Sequence, residues 1–132
     1  MTLVPMWQQV LLVALGGAVG SVGRFLVAAW MVRMAGSAFP WGTLAVNLVG
    51  SFLAGLLFVW LDGRGDSANW WRALLMVGVL GGFTTWSAFA LEVMLLGRDA
   101  TPGWAGAYVV ASLVGGVLLV WAGWRTGVIL RG

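Results

Sequence analysis

Gly78-Val79-Leu80-Gly81-Gly82-Phe83-Thr84-Thr85-Trp86-Ser87-Ala88-Phe89 lies in the middle of an apolar run that extends from residue 71 to residue 96. A run of that length reaches the roughly 20 residues a helix needs to cross a hydrocarbon core of about 30 Å. Its centre nevertheless holds paired glycines and paired threonines. Each glycine lowers helix propensity by about 1 kcal/mol relative to Ala, and each threonine hydroxyl competes with the helical hydrogen-bond ladder. The stretch therefore predicts a membrane helix broken at mid-depth, with an unbroken helix carrying a packing glycine pair as the alternative. A break at that depth persists only if the freed carbonyls and amides meet protein, water or an ion, and broken helices commonly present those groups to ions.

Working outward, comparable apolar runs occupy residues 7–32, 41–61 and 103–124, so the expectation is one four-helix membrane domain over residues 1–132. The composition agrees: 61% of residues are hydrophobic and 8% charged, against about 25% charged in a soluble globular domain. The gaps carry Arg33 with Phe39-Pro40, the polar run 62–69, and Arg98-Asp99 with Pro102, which supply charge and turn chemistry where the chain leaves the lipid. Short loops make neighbouring helices antiparallel, and an even number of spans puts both ends of the chain on one side. The first run lacks a basic start and a small-residue cleavage site and is too long for a signal peptide, so it is expected to stay in the mature protein.

The absence of Cys and His and the presence of only four carboxylates leave conventional catalysis poorly provisioned, so no enzyme is expected. The isoelectric point near 11.2 would suggest nucleic acid in a soluble protein, but the arginines are scattered singly, and no nucleic-acid partner is expected. Arg64, Arg72, Arg125 and Arg131 lie on the terminal side, Arg33 and Arg98 lie opposite, and Arg24 falls within the first run. So weak a bias permits insertion in both orientations, with a single topology, termini inside, as the alternative. Trp7, Trp41, Trp60, Trp70, Trp71, Trp104, Trp121 and Trp124 fall near segment ends, where an interfacial belt against membrane lipid places them. Gly16/Gly20, Gly50/Ala54, Gly78/Gly82 and Ala111/Gly115 put small residues one turn apart, which lets helix backbones approach closely. Four thin helices leave little room for an internal aqueous path, so any conduction route is expected between subunits of an oligomer, a dimer being the simplest.

The few polar residues at depth are then the informative ones, because an unsatisfied polar group in hydrocarbon costs several kcal/mol. Thr43, Asn47 and Ser51 recur every four residues on one helix face, and Tyr108, Ser112 and Gly116 repeat that spacing. The two stripes read either as interhelical hydrogen-bonding seams or as the lining of a permeation groove. Trp86 and Phe89, three apart with Ser87 beside them, are core aromatics on one reading; on the other, their electropositive ring edges face an anion. Arg24 either snorkels or lends positive potential to an anion vestibule. Glu92 follows Phe89 by three and reads as a hydrogen-bonding or ion-pairing group at the helix end, or as a proton-coupling acid.

These residues resemble a known family. Gly17-Ala18-Val19-Gly20-Ser21-Val22-Gly23-Arg24, the stretch 39–52 with Gly-Thr-Leu-Ala-Val-Asn at 42–47, and Gly81-Gly82-Phe83-Thr84-Thr85-Trp86-Ser87-Ala88-Phe89 followed by Glu92 are similar, in order and across nearly the whole chain, to the small fluoride-channel family (Fluc, or CrcB). The resemblance implies an all-α, four-helix subunit in an antiparallel, dual-topology homodimer, with two fluoride pores at the subunit interface. It also implies a multi-pass protein of the inner (plasma) membrane that lets toxic fluoride leave the cytoplasm. By motif position Asn47 would donate to fluoride, and Trp86 and Phe89 would form the aromatic box. Ser87, Thr43, Tyr108 and Ser112 would lie along the polar path, with Arg24 in the vestibule. A sodium ion, structural and not transported, would be held by the backbone carbonyls of Gly81 and Thr84 from both subunits. Two positions depart from the family pattern: Trp86 stands where Phe is usual, and Ala88 where a small polar residue often follows. Trp keeps an electropositive edge and adds an N–H donor.

A small four-helix exporter of cationic drugs is similar in size but needs an acid early in its first helix, and no acid precedes Asp62. A non-conducting assembly protein accounts for the glycines but leaves the polar stripes without a purpose.

Overall fold

In a computed structural model, which describes residues 4–99 and 102–132, the chain is all-helical, and four of its helical segments are long and apolar enough to cross a membrane. Helix α1 spans Met6–Ala35 and α2 spans Trp41–Asp62. A single turn at Gly65–Ser67 leads into α3 (68–83), which is joined through two extended residues to α4, Trp86–Arg98; α5 spans Pro102–Arg131. Each spanning segment runs past the apolar run that announces it, α5 reaching residue 131 rather than 124.

Local chemistry explains the helix ends. Gly36 adopts φ 78° and returns its N–H to the Val32 carbonyl, closing α1 with the positive φ that glycine adopts without strain. Pro40 precedes α2, has no N–H to extend the helix backwards and disfavours helical geometry at Phe39, so α2 starts at Trp41. Inside α3, residues Arg72–Leu80 form a wider helix, and Gly81 N–H reaches back to the Met76 carbonyl.

Two helix pairs hold the molecule together: α1 packs on α3, and α2 packs on α5. Small residues make both possible. A Cβ on Gly16 would lie 3.0 Å from Gly78 Cα, and one on Gly82 would lie 2.5 Å from the Gly17 carbonyl oxygen, so the α1 and α3 backbones touch. In the second pair Gly55 faces the Val120 carbonyl and Gly123 faces the Phe52 carbonyl. Where α4 meets α2 and α5, Phe89, Tyr108 and Leu44 form the main buried apolar cluster. The outward faces of α1 and α5 are lined by exposed large apolar side chains, among them Val19, Phe25, Val117 and Leu118, as helices facing lipid should be.

The third span is a bent pair of helices, but its glycines are not the bend. Gly81 is helical at φ −62°, ψ −36°. The extended residues are Thr84 (φ −86°, ψ 159°) and Thr85 (φ −152°, ψ 127°). Gly82 is needed for the approach of α1, whereas the threonine hydroxyls serve the bend: Thr84 Oγ1 donates at 2.8 Å to the Leu80 carbonyl, which also accepts Thr84 N–H, and Thr85 Oγ1 replaces a helical acceptor by accepting from Ala88 N–H at 3.3 Å, capping α4.

Candidate ion pathway

The bend is held from across the molecule. Asn47 Nδ2 donates to the Thr85 carbonyl at 3.0 Å, and Thr85 N–H donates to Asn47 Oδ1 at 2.8 Å, so one carboxamide satisfies both backbone groups of an extended residue. Ser51 Oγ in turn donates to the Asn47 carbonyl at 2.7 Å. The stripe Thr43, Asn47, Ser51 is thus in part the interhelical seam that its spacing allowed. Only one of the two N–H groups on Asn47 Nδ2 is used there, which leaves a second for a ligand.

The bend also redirects two helical donors. In a continuous helix Thr85 N–H would bond the Gly81 carbonyl and Ala88 N–H the Thr84 carbonyl. Here they go to Asn47 Oδ1 and Thr85 Oγ1, so Gly81 and Thr84 carbonyl oxygens lose their helical partners. The first N–H groups of α4 are left without intrahelical acceptors, and the helix dipole puts its positive end at Trp86.

Around this bend lies an open cavity of about 520 Å³ lined by Asn47, Gly81, Thr84, Trp86, Phe89 and Ser112, among others. Trp86 is 70% exposed while Phe89 is 6% exposed, and their ring centroids lie 5.2 Å apart. Ser112 Oγ is buried with no hydrogen-bond partner among the described residues. A hydroxyl of this kind beside a cavity is a donor available to whatever occupies it.

Phe89 separates this cavity from a second polar centre. Its ring lies 5.1 Å from that of Tyr108, which is fully buried. Tyr108 Oη donates to Glu92 Oε2 at 2.7 Å, and Thr43 Oγ1 donates to Glu92 Oε1 at 2.7 Å. Two hydroxyl donors thus satisfy both oxygens of a side chain that is partly removed from solvent. A second cavity, of about 560 Å³, lies against Thr43 and Glu92 and opens past Phe39 and Pro40 beside Asp99. Polar groups therefore continue from Asn47 and Ser112, past Phe89, to Thr43, Tyr108 and Glu92.

Of the residues singled out from the sequence, Asn47, Trp86, Phe89, Ser112, Gly81 and Thr84 meet at the first cavity, and Thr43 lines the second. Tyr108 and Thr43 aim their hydroxyl hydrogens at Glu92. Ser87 is exposed at the start of α4, its Oγ 3.4 Å from Thr85 Oγ1. Arg24 is partly buried on α1 and lines neither cavity. Glu92 and Thr85 are the organising residues that the stripes alone did not single out. The three-residue step from Phe89 to Glu92, which puts both on one helix face, was the available signal for the first; nothing in the spacing pointed to Thr85 as the partner of Asn47.

A family model described as CrcB-like protein, Camphor Resistance (CrcB), matches residues 11–124. The chain is 50% identical over 121 residues to the protein named fluoride-specific ion channel FluC of Xanthomonas axonopodis pv. citri (strain 306), which covers 92% of this chain and 91% of that one. Proteins of the same name from Xylella fastidiosa (strain 9a5c) and Agrobacterium fabrum (strain C58 / ATCC 33970) are 48% identical over 128 residues and 49% identical over 119 residues, covering 96% and 90% of this chain and 89% and 95% of theirs. With a family match over most of its length and relatives of this identity along nearly the whole chain, the protein belongs to the CrcB family of ion channels.

Proposed function

We propose that this chain forms a passive, fluoride-selective channel of the inner membrane that exports toxic fluoride from the cytoplasm. The observation that carries the reading is the first cavity, where a spare Asn47 N–H, the orphaned Ser112 hydroxyl, the rings of Trp86 and Phe89 and the positive end of α4 converge. The relatives' name fits that donor set. Fluoride is small and strongly hydrated, so a selective pore must replace its water with donors in a narrow passage without trapping it. Amide and hydroxyl hydrogens and ring edges do this, whereas an arginine at the constriction would hold the ion, and none lines this cavity. Trp86 in place of Phe keeps the ring edge, and the Ala88 N–H serves as the capped position of α4 whatever its side chain.

The first cavity is open on an outer face beside exposed Gly81 and Trp86, so a second copy is needed to close it. In our reading that copy is antiparallel, as the near-balanced arginine count permits, and the pair encloses two pores. Gly81 and Thr84 carbonyls without helical donors suit a hard monovalent cation, and among the described residues no cluster of acidic, His or Cys side chains offers an alternative cation site. Two copies of the bend at a two-fold axis would bring together four carbonyl oxygens that repel one another unless a cation lies between them. Sodium there would be structural, joining the subunits.

In proteoliposomes loaded with fluoride or chloride, the expected result is rapid fluoride efflux and no chloride efflux above that of empty vesicles; equal rates, or neither, would refute the channel reading. Replacing sodium throughout by N-methyl-D-glucamine is expected to lower fluoride efflux at least about tenfold and to shift the protein toward monomer, since the loss of one ion-mediated contact worth about 1.4 kcal/mol already changes an equilibrium tenfold. Full efflux under strict sodium depletion would remove the structural ion, and sodium flux coupled to fluoride would make the protein a symporter.

A further inference from the structure

Sharing no lining residue with either cavity of the ion pathway, a groove of about 750 Å³ runs up to the terminal-side end of the molecule. Its walls are apolar, with Leu57 and Trp60 from α2, Leu75 from α3 and Leu130 from α5. Its rim carries two arginines, Arg64 and Arg131, and among the described residues no acid lines it. The groove reaches the level where α2 ends at Asp62 and the chain leaves the hydrocarbon. Trp60 and Trp71 meet edge to face there, 5.6 Å apart, as aromatic residues do at a membrane–water boundary.

Both guanidinium groups are oriented and incompletely used. Arg64 sits over the Trp60 ring, its guanidinium carbon 3.5 Å from the ring centroid, and its N–H groups have no acceptor among the described residues. Arg131 Nη1 caps α2 through the Val59 carbonyl at 3.2 Å and reaches Asp62 Oδ2 at 3.4 Å. Nε and Nη2 of Arg131 have no acceptor among the described residues and lie over Gly63, where a Cβ would come within 2.5 Å of Nη2. Glycine at 63 thus makes room for the guanidinium. Asp62 is mostly solvent-exposed and offsets Arg131 only in part.

We propose that this groove is a binding site for an anionic phospholipid, with one acyl chain along Leu57, Leu75 and Leu130 and the phosphate and acidic headgroup between Arg64 and Arg131. The occupant follows from the combination: an apolar trough at bilayer depth ending at two cations at headgroup level matches a lipid with a negative head and no other component of its surroundings as well. The site is distinct from the ion pathway and requires only that the four long helices cross a membrane.

The test is native mass spectrometry of the intact protein equilibrated with equal amounts of phosphatidylglycerol and phosphatidylcholine of identical acyl chains. An arginine near an anionic membrane surface contributes about 1 kcal/mol, or about fivefold in affinity. The natural protein is expected to prefer phosphatidylglycerol by at least about tenfold, R64Q/R131Q to approach parity, R64K/R131K to retain a preference, and R125Q, which removes a charge beside Trp121 outside the groove, to behave as the natural protein. If R64Q/R131Q does not fold, R64Q alone, which removes no hydrogen bond among the described residues, should lose about fivefold. Parity in the natural protein, or an equal loss in R125Q, would reduce the preference to diffuse surface charge and overturn the site. Efficient cross-linking of two copies through Leu130→Cys in membranes would assign the groove to a second copy and overturn it as well.

Discussion

Replacing Asn47 with Asp is expected to lower fluoride efflux about a thousandfold, to the level of empty vesicles. Two unit charges of like sign about 4 Å apart repel by roughly 4 kcal/mol at an effective dielectric of about 20, which is about three powers of ten in rate or affinity. The carboxylate would keep one of the two bonds Asn47 makes, since Oδ1 can still accept from Thr85 N–H. It would lose the Nδ2 bond to the Thr85 carbonyl and the spare N–H that faces the cavity. Geometry at the bend is therefore partly preserved while the site changes from donor to anion. The measurement is fluoride efflux by ion-selective electrode, alongside the oligomeric state in detergent. Unchanged efflux from a folded variant would put Asn47 off the ion path and leave it only the seam role. Loss of folding would be separated from loss of conduction by Asn47→Ser, which removes the bidentate clamp without adding charge.

Much of this architecture is legible in the sequence because a membrane imposes few solutions. Apolar runs long enough to span have to be helices, since lipid offers no partner for backbone groups, and the four-span reading follows from lengths and gaps alone. The glycine spacing also carried information: Gly16, Gly20, Gly78 and Gly82 lie where α1 and α3 touch. The position of the bend was less accessible. Glycine and threonine both weaken a helix, and local propensity cannot decide between them. The decision is tertiary: α1 packs against Gly82 and keeps it helical, while Asn47, 38 residues away in sequence, supplies the bonds that let Thr85 leave the helix.

For the same reason Glu92 was hard to place. A lone acid three residues past an aromatic has several readings until the hydroxyls of Thr43 and Tyr108 are found on its two oxygens, one from α2 and one from α5. The periodicity put Thr43 and Tyr108 on inward stripes but could not say whether their hydrogens point to an ion or to a carboxylate. Here they reach the two oxygens of Glu92, which places a well-satisfied acidic side chain next to the second cavity and leaves the free donors, on Asn47 and Ser112, at the first.

Locking the protein into one orientation is expected to abolish conduction, and mixing oppositely locked copies to restore it. The natural chain carries Arg64, Arg72, Arg125 and Arg131 on the terminal side against Arg33 and Arg98 opposite, a bias small enough for both insertions under the rule that basic residues stay cytoplasmic. Ser67→Arg with Asn69→Arg changes the balance to six against two at positions whose side chains are exposed. Met34→Arg, Ala35→Arg and Gly97→Arg with Arg72→Gln and Arg125→Gln reverses it to two against five, again at exposed positions and outside the lining of either cavity. If the pore is completed by an antiparallel partner, a population that inserts one way has no partner to pair with. Each locked variant expressed alone should then give fluoride efflux at background, and co-expression of the two should recover most of the natural rate. Orientation is read independently by labelling single cysteines, which the Cys-free chain allows at either end without further change. The open cavity at the bend makes the outcome decisive: Trp86 and Gly81 lie exposed on a single copy, so a parallel or monomeric pore would have to seal that face by some other means. Normal efflux from either locked variant alone, with labelling confirming one orientation, would rule out the antiparallel pair and leave the ion path to be sought between the second cavity and the Glu92 cluster of one chain.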